Sequence, residues 1–92
     1  MGLEAVELVL KIEDALEIKI PDAEASSVVT VGDLVQVVIL NQLRSSTPPI
    51  IEGEALQRLV FERLRDIIAD EFSLDPYRIQ LDSELRRDLK TD

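Results

Sequence analysis

Ninety-two residues leave room for one small domain built around a single core. Nineteen Asp and Glu against ten Lys and Arg give a net charge of -9, a surface field that excludes nucleic acid and favours basic partners. With no Cys and no His, the chain has no disulfide framework, no thiolate zinc site and no imidazole for acid–base work near neutral pH.

The first predicted element spans Leu3 to Leu16. Leu3, Val6, Val9, Leu10 and Ala15 or Leu16 recur at three- and four-residue steps, and Glu4, Glu7, Lys11 and Asp14 fall between them. This predicts an amphipathic helix of about four turns with Gly2 as its N-cap. Ile18-Lys19-Ile20-Pro21 alternates and ends in proline, so it reads as an extended connector that plugs two isoleucines into the core. Asp22 is placed to cap a short turn over Ala23, Glu24 and Ala25.

Thr30 with Asp33 three residues later forms a capping-box pattern that opens a helix from Val31 to Leu43, with Leu34, Val35, Val38 and Ile39 sharing a face with Gln42 and Leu43. Valine richness would also suit a strand, but the cap and the length favour helix. Arg44 to Gly53, with Ser45-Ser46-Thr47-Pro48-Pro49, has linker composition. Eight acids and three bases precede Ser46 and eleven acids and seven bases follow it, so no charge boundary separates two domains.

Glu54 to Phe72 carries the clearest periodicity, through Leu56, Leu59, Val60, Leu64, Ile67, Ile68 and Phe72. On its polar side, Arg58 with Glu62 and Glu62 with Arg65 are attractive pairs. Ser73-Leu74-Asp75-Pro76 ends the helix, and Leu74, Ile79, Leu81, Leu85 and Leu89 punctuate the polar segment after it. Aromatic residues make up only 3% of the chain, so the core must be aliphatic.

No apolar run approaches the roughly 18 residues of a membrane span, and the acidic start lacks a basic signal-peptide region, which gives the expectation of a soluble, cytoplasmic protein. Catalysis is not expected. Serine has no histidine to activate it, and no phosphate-binding glycine loop or metal-ligand pattern is present. The adjacent carboxylates Glu13 and Asp14, and Asp70 and Glu71, diverge on their helices.

The first half resembles the second half of an acyl carrier protein. The residues that carry the likeness are Leu3-Glu4-Ala5-Val6-Glu7-Leu8-Val9, Glu13-Asp14, Ile18-Lys19-Ile20-Pro21-Asp22 and Thr30-Val31-Gly32-Asp33-Leu34. Arg63 to Phe72, Ile79, Leu85 and Asp88-Leu89-Lys90-Thr91-Asp92 resemble that family's first helix and the loop after it. The resemblance implies an all-α four-helix bundle, three longer helices and one short, in circularly permuted order. Residues 1–44 then match helices two to four, 45–53 form a linker, and 54–92 match helix one and its loop, all within one domain.

In the family, 4'-phosphopantetheine is attached to a serine at the start of the second helix. Here the equivalent position is Gly2, between Asp92 and Leu3, and Ser26, Ser27, Ser45, Ser46, Ser73 and Ser83 map elsewhere; Thr91 precedes the position. No prosthetic group is therefore expected on this chain. The resemblance assigns partner docking to Glu4, Glu7, Leu10, Glu13 and Asp14, interrupted by Lys11. It implies a pseudo-carrier or docking module that meets basic-surfaced synthases or transferases of fatty acid, polyketide or related lipid metabolism. The alternatives are a true carrier modified at another hydroxyl or within a longer chain, and a lipid-binding or assembly protein. A linker of this length permits a monomer or a dimer that exchanges halves.

Overall fold

The computed structural model describes residues 3–45 and 47–85, with side chains from Val6 onward. It contains α1 (Leu3–Leu16), α2 (Asp22–Ser26), α3 (Val31–Leu43) and α4 (Glu54–Phe72), followed by a 3-10 turn at Pro76–Arg78. The limits predicted from periodicity for α1, α3 and α4 coincide with these. The architecture is all-α. Among the described residues the only strand-like pairing is one antiparallel bridge between Thr30 and Glu84.

The main seam lies between α3 and α4; α1 packs on α4, α2 on α3, and the 3-10 turn returns to α4. The core is aliphatic, as the composition requires. Leu8, Ile12, Val31, Leu34, Val35, Val38, Leu64 and Ile68 are almost completely buried, while Phe61 and Phe72 pack at its edge and Tyr77 is exposed. Ile18 and Ile20 are both buried, so the alternating connector does insert two side chains.

The helix ends follow local rules. Glu17 and Ser73 adopt the left-handed conformation. Beyond them, Ile18 N donates to Glu13 O (3.1 Å) and Leu74 N donates to Ala69 O (2.9 Å), closing the last carbonyls of α1 and α4 in the six-to-one manner. At α3 the capping box forms in full: Asp33 N donates to Thr30 Oγ1, and Thr30 N donates back to Asp33 Oδ2, each at 3.1 Å. These backbone donors, Thr30 first and Val29 second, hold the Asp33 carboxyl below the usual carboxylate range.

Four sequence expectations are corrected. In α1 the core takes Leu8 and Ile12, whereas Val6 and Leu10 are exposed; the apolar face is turned relative to the predicted stripe. Asp22 does not cap α2. It is the first helical residue, because extended Pro21 precedes it and the Pro21 carbonyl accepts from Glu24 N and Ala25 N. Leu59 and Leu43, placed on buried faces by periodicity, are about half exposed, at 46% and 54%. The Arg58, Glu62 and Arg65 pairs do not form: Arg65 Nε lies 3.8 Å from Asp66, and its guanidinium sits over the Phe61 and Tyr77 rings at 5.8 and 5.9 Å. Two aromatic faces offer the partly desolvated Arg65 cation more than the exposed Glu62 carboxylate three residues away does.

The segment after α4 is more ordered than its polar sequence implies. It folds against the start of α3, where Val31 N donates to Ser83 O (2.9 Å), Gly32 N to Leu81 O (2.7 Å) and Leu85 N to Val29 O (2.9 Å). The first amides of α3, which no intrahelical carbonyl can satisfy, thus find partners in the other half of the chain. Gly32 permits the approach. A Cβ there would stand 3.0 Å from the Leu81 carbonyl oxygen.

Candidate docking surface

On α1, residues three and four apart share a face, which gathers Val6, Glu7, Leu10 and Asp14 into one stripe. All four are exposed, Leu10 at 57% and Val6 at 43%. The carboxylates beside this apolar pair give the stripe a negative potential, complementary to basic groups. The structure therefore brings Glu7, Leu10 and Asp14 together. The Glu4 side chain lies outside the described residues, as do Gly2, Asp92 and Thr91; Leu3 is described as the first residue of α1 without its side chain.

Glu13 is different. It is half-buried, and its carboxylate accepts a hydrogen bond from Ile20 N at 2.7 Å. That bond ties the connector to α1 and aims both isoleucines inward. Asp14 beside it is exposed, so the adjacent carboxylates diverge and do not form an acid–base pair. Asp70 and Glu71 part in the same way, because Glu71 takes the Lys11 ammonium. This ion pair joins α1 to α4, and the Glu71 hydrogen bond followed by its charge raises the Lys11 pKa. Lys11 is thereby drawn toward α4, which leaves the acids of the stripe less interrupted than the sequence implies.

Two grooves flank Leu10 and Glu13. One, of about 390 Å³, is lined by Val6, Val9, Ile20 and Ala25, with Asp22 and Ser26 at its margin. The other, of about 630 Å³, is lined by Asp14, Glu17, Ile18, Lys19, Asn41 and Arg44. The wall between α2 and α3 rests on a network that the sequence did not single out. Buried Asn41 donates through Nδ2 to Glu24 Oε1 and to Val37 O, each at 2.8 Å, and Arg44 donates to Glu24 Oε2 at 2.9 Å. Asn41 first and Arg44 second hold Glu24 below the usual carboxylate range. The available signal was one polar residue on an otherwise apolar face, which is also what a helix end beside solvent looks like.

Four of the described serine hydroxyls take part in local hydrogen bonds. Ser26 and Ser27 donate to the Asp22 and Glu24 carbonyls within α2, and Ser45 donates to Gln42 O at the end of α3. Ser73 ends α4, and Ser83 is buried, accepting from Gln80 N. None of these stands at the start of α1; Ser46 lies outside the described residues. Among the described residues there is no group of three side chains able to hold a metal ion, and no helix is long and apolar enough to cross a membrane.

The described residues form a small all-helical bundle whose first helix presents Val6 and Leu10 beside Glu7 and Asp14. The chain is similar to the acyl carrier protein of Wolinella succinogenes, with 45% identity over 41 residues; the match covers 45% of this chain and 54% of that protein. The chain thus spans about half the length of the curated relative it matches. No family model and no solved structure matches the chain.

Proposed function

We propose that this chain is a non-enzymatic, acyl carrier-like docking module of the cytoplasm that serves fatty acid, polyketide or related lipid metabolism. Its partners are basic-surfaced synthases or transferases, received by α1 through Glu7, Leu10 and Asp14. The exposure of Leu10 at the centre of that stripe carries the reading, since an apolar side chain turned away from an available core keeps its free energy of burial for a partner. Similarity to an acyl carrier protein supports the choice of partner class.

Under this reading the halves stand in permuted order: residues 1–44 correspond to helices two to four of a carrier, 45–53 link, and 54–92 correspond to helix one and its loop. Gly2 replaces the attachment serine, which makes the module a pseudo-carrier. The test is incubation with a phosphopantetheinyl transferase and coenzyme A, followed by intact-mass measurement. No mass gain is expected. A stoichiometric gain of the prosthetic group overturns the pseudo-carrier reading, and peptide mapping then locates the hydroxyl of a true carrier.

The groove lined by Val6, Val9, Ile20 and Ala25 favours a second reading, in which a free acyl chain is held against α1. Native mass spectrometry after exposure to fatty acid distinguishes it by a bound lipid at one-to-one ratio.

A further inference from the structure

Residues 3–45 and 54–85 share one core. Leu8, Ile12, Leu34 and Val35 are buried in the first part, and Val60, Leu64 and Ile68 in the second; they belong to one cluster that spans the α3–α4 and α1–α4 seams. Polar contacts repeat the pattern. The backbone bonds from Val31, Gly32 and Leu85, and the Lys11–Glu71 ion pair, all cross between the two parts. Residues 47–52, which join them, make no hydrogen bond or ion pair with either part among the described residues. Pro48-Pro49 stiffens this stretch toward an extended course.

We propose that the seam between residues 3–45 and 54–85 is also an interface for a second copy of this chain, reached by exchanging halves about residues 47–52. Every contact across the seam is remade in the exchanged dimer, and only the connector changes conformation. The connector carries a second, independent sign. Ile50 is 100% exposed and Ile51 is 46% exposed, a pair of large apolar side chains that the monomer leaves in water. In an exchanged dimer the two connectors run beside each other, and these isoleucines are the residues available to bury between them. A connector this short holds the halves at an effective concentration on the order of millimolar, so the monomer prevails in dilute solution and exchange needs refolding at high concentration.

Reciprocal rescue between full-length chains tests this. Ile12→Asp disables the first half and Leu64→Asp the second, and each chain alone loses its helical far-UV signal. Mixed at several hundred micromolar and refolded from urea, the two chains are expected to give a one-to-one heterodimer by native mass spectrometry, with roughly half of the unaltered per-chain helix signal recovered. A mixed spectrum equal to the sum of the separate ones, with no heterodimer, overturns the proposal.

The unaltered chain provides a second measurement. Isotope-labelled and unlabelled copies refolded together at high concentration are expected to form dimers of mixed mass, and an exclusively monomeric product overturns the proposal. Ile50→Ser is expected to lower the dimer fraction severalfold while leaving the monomer's urea midpoint unchanged. An unchanged dimer fraction overturns the part assigned to the connector.

Discussion

Helices α1 and α4 are both amphipathic and pack on each other, yet they spend their apolar residues differently. In α4 the four-residue ladder Leu56, Val60, Leu64 and Ile68 is buried along its whole length, and the polar side faces water. In α1, Leu8 and Ile12 fill the core while Val6 and Leu10, one turn apart, remain outside. Helix α4 is built to hold the fold together. Helix α1 carries more apolar surface than the core uses, and its excess is collected between Glu7 and Asp14. A surplus of that kind gives a partner-binding helix its affinity, and the surrounding acids determine which partners approach.

The largest expected effect breaks the comparison directly. Leu64→Ala removes a fully buried side chain and is expected to destabilise the protein by about 2–5 kcal/mol, whereas Leu10→Ala is expected to change stability by no more than about 0.5 kcal/mol. Urea midpoints for the two variants measure this. If both fall alike, α1 is a second structural helix and its exposed stripe has no claim to docking.

A smaller effect belongs to the start of α3. Thr30→Ala is expected to cost about 1 kcal/mol by removing the acceptor for Asp33 N, with the helix limits unchanged. Hydrogen exchange should show the added opening at the first turn of α3 and at residues 81–85, which share its amides.

The smallest effect is with acid. Asp33 and Glu24 are both held below the ordinary carboxylate range, by backbone donors at the α3 cap and by Asn41 with Arg44. A carboxyl with a lowered folded pKa binds fewer protons than its unfolded counterpart. The stability it contributes is therefore fully present above about pH 5 and is lost as pH falls through about 4 and below. Urea midpoints between pH 7 and pH 3 should hold at first and then decline, and Asp33→Asn together with Glu24→Gln should flatten that decline. Both groups lie near the surface, so added salt weakens the Glu24–Arg44 part.

Much of this arrangement was legible in the residue order. The α3 cap was readable because Thr30 and Asp33 interact across three residues, and α4 because its neighbours all want the same face buried. The orientation of α1 was not. Val6, Leu8, Val9, Leu10, Ile12 and Leu16 surround that helix so broadly that two faces are nearly equally apolar, and periodicity alone picked the wrong one. Nor did local sequence reveal that Glu13 would turn to Ile20 N, that Asn41 would bind Glu24 from the next helix, or that Leu81 and Ser83 would close the amides of α3.

The sequence by itself determined the limits of the three long helices, the aliphatic core, the acidic field and the absence of imidazole and thiol chemistry. Each of these depends on residues within a turn or two of one another, or on composition alone. Only the tertiary structure decided which side of α1 meets α4, which acids stay free and which carboxylate becomes a brace. Those choices are made by groups distant in sequence, such as Lys11 and Glu71, whose meeting depends on how whole helices fill the space around Leu64 and Ile68.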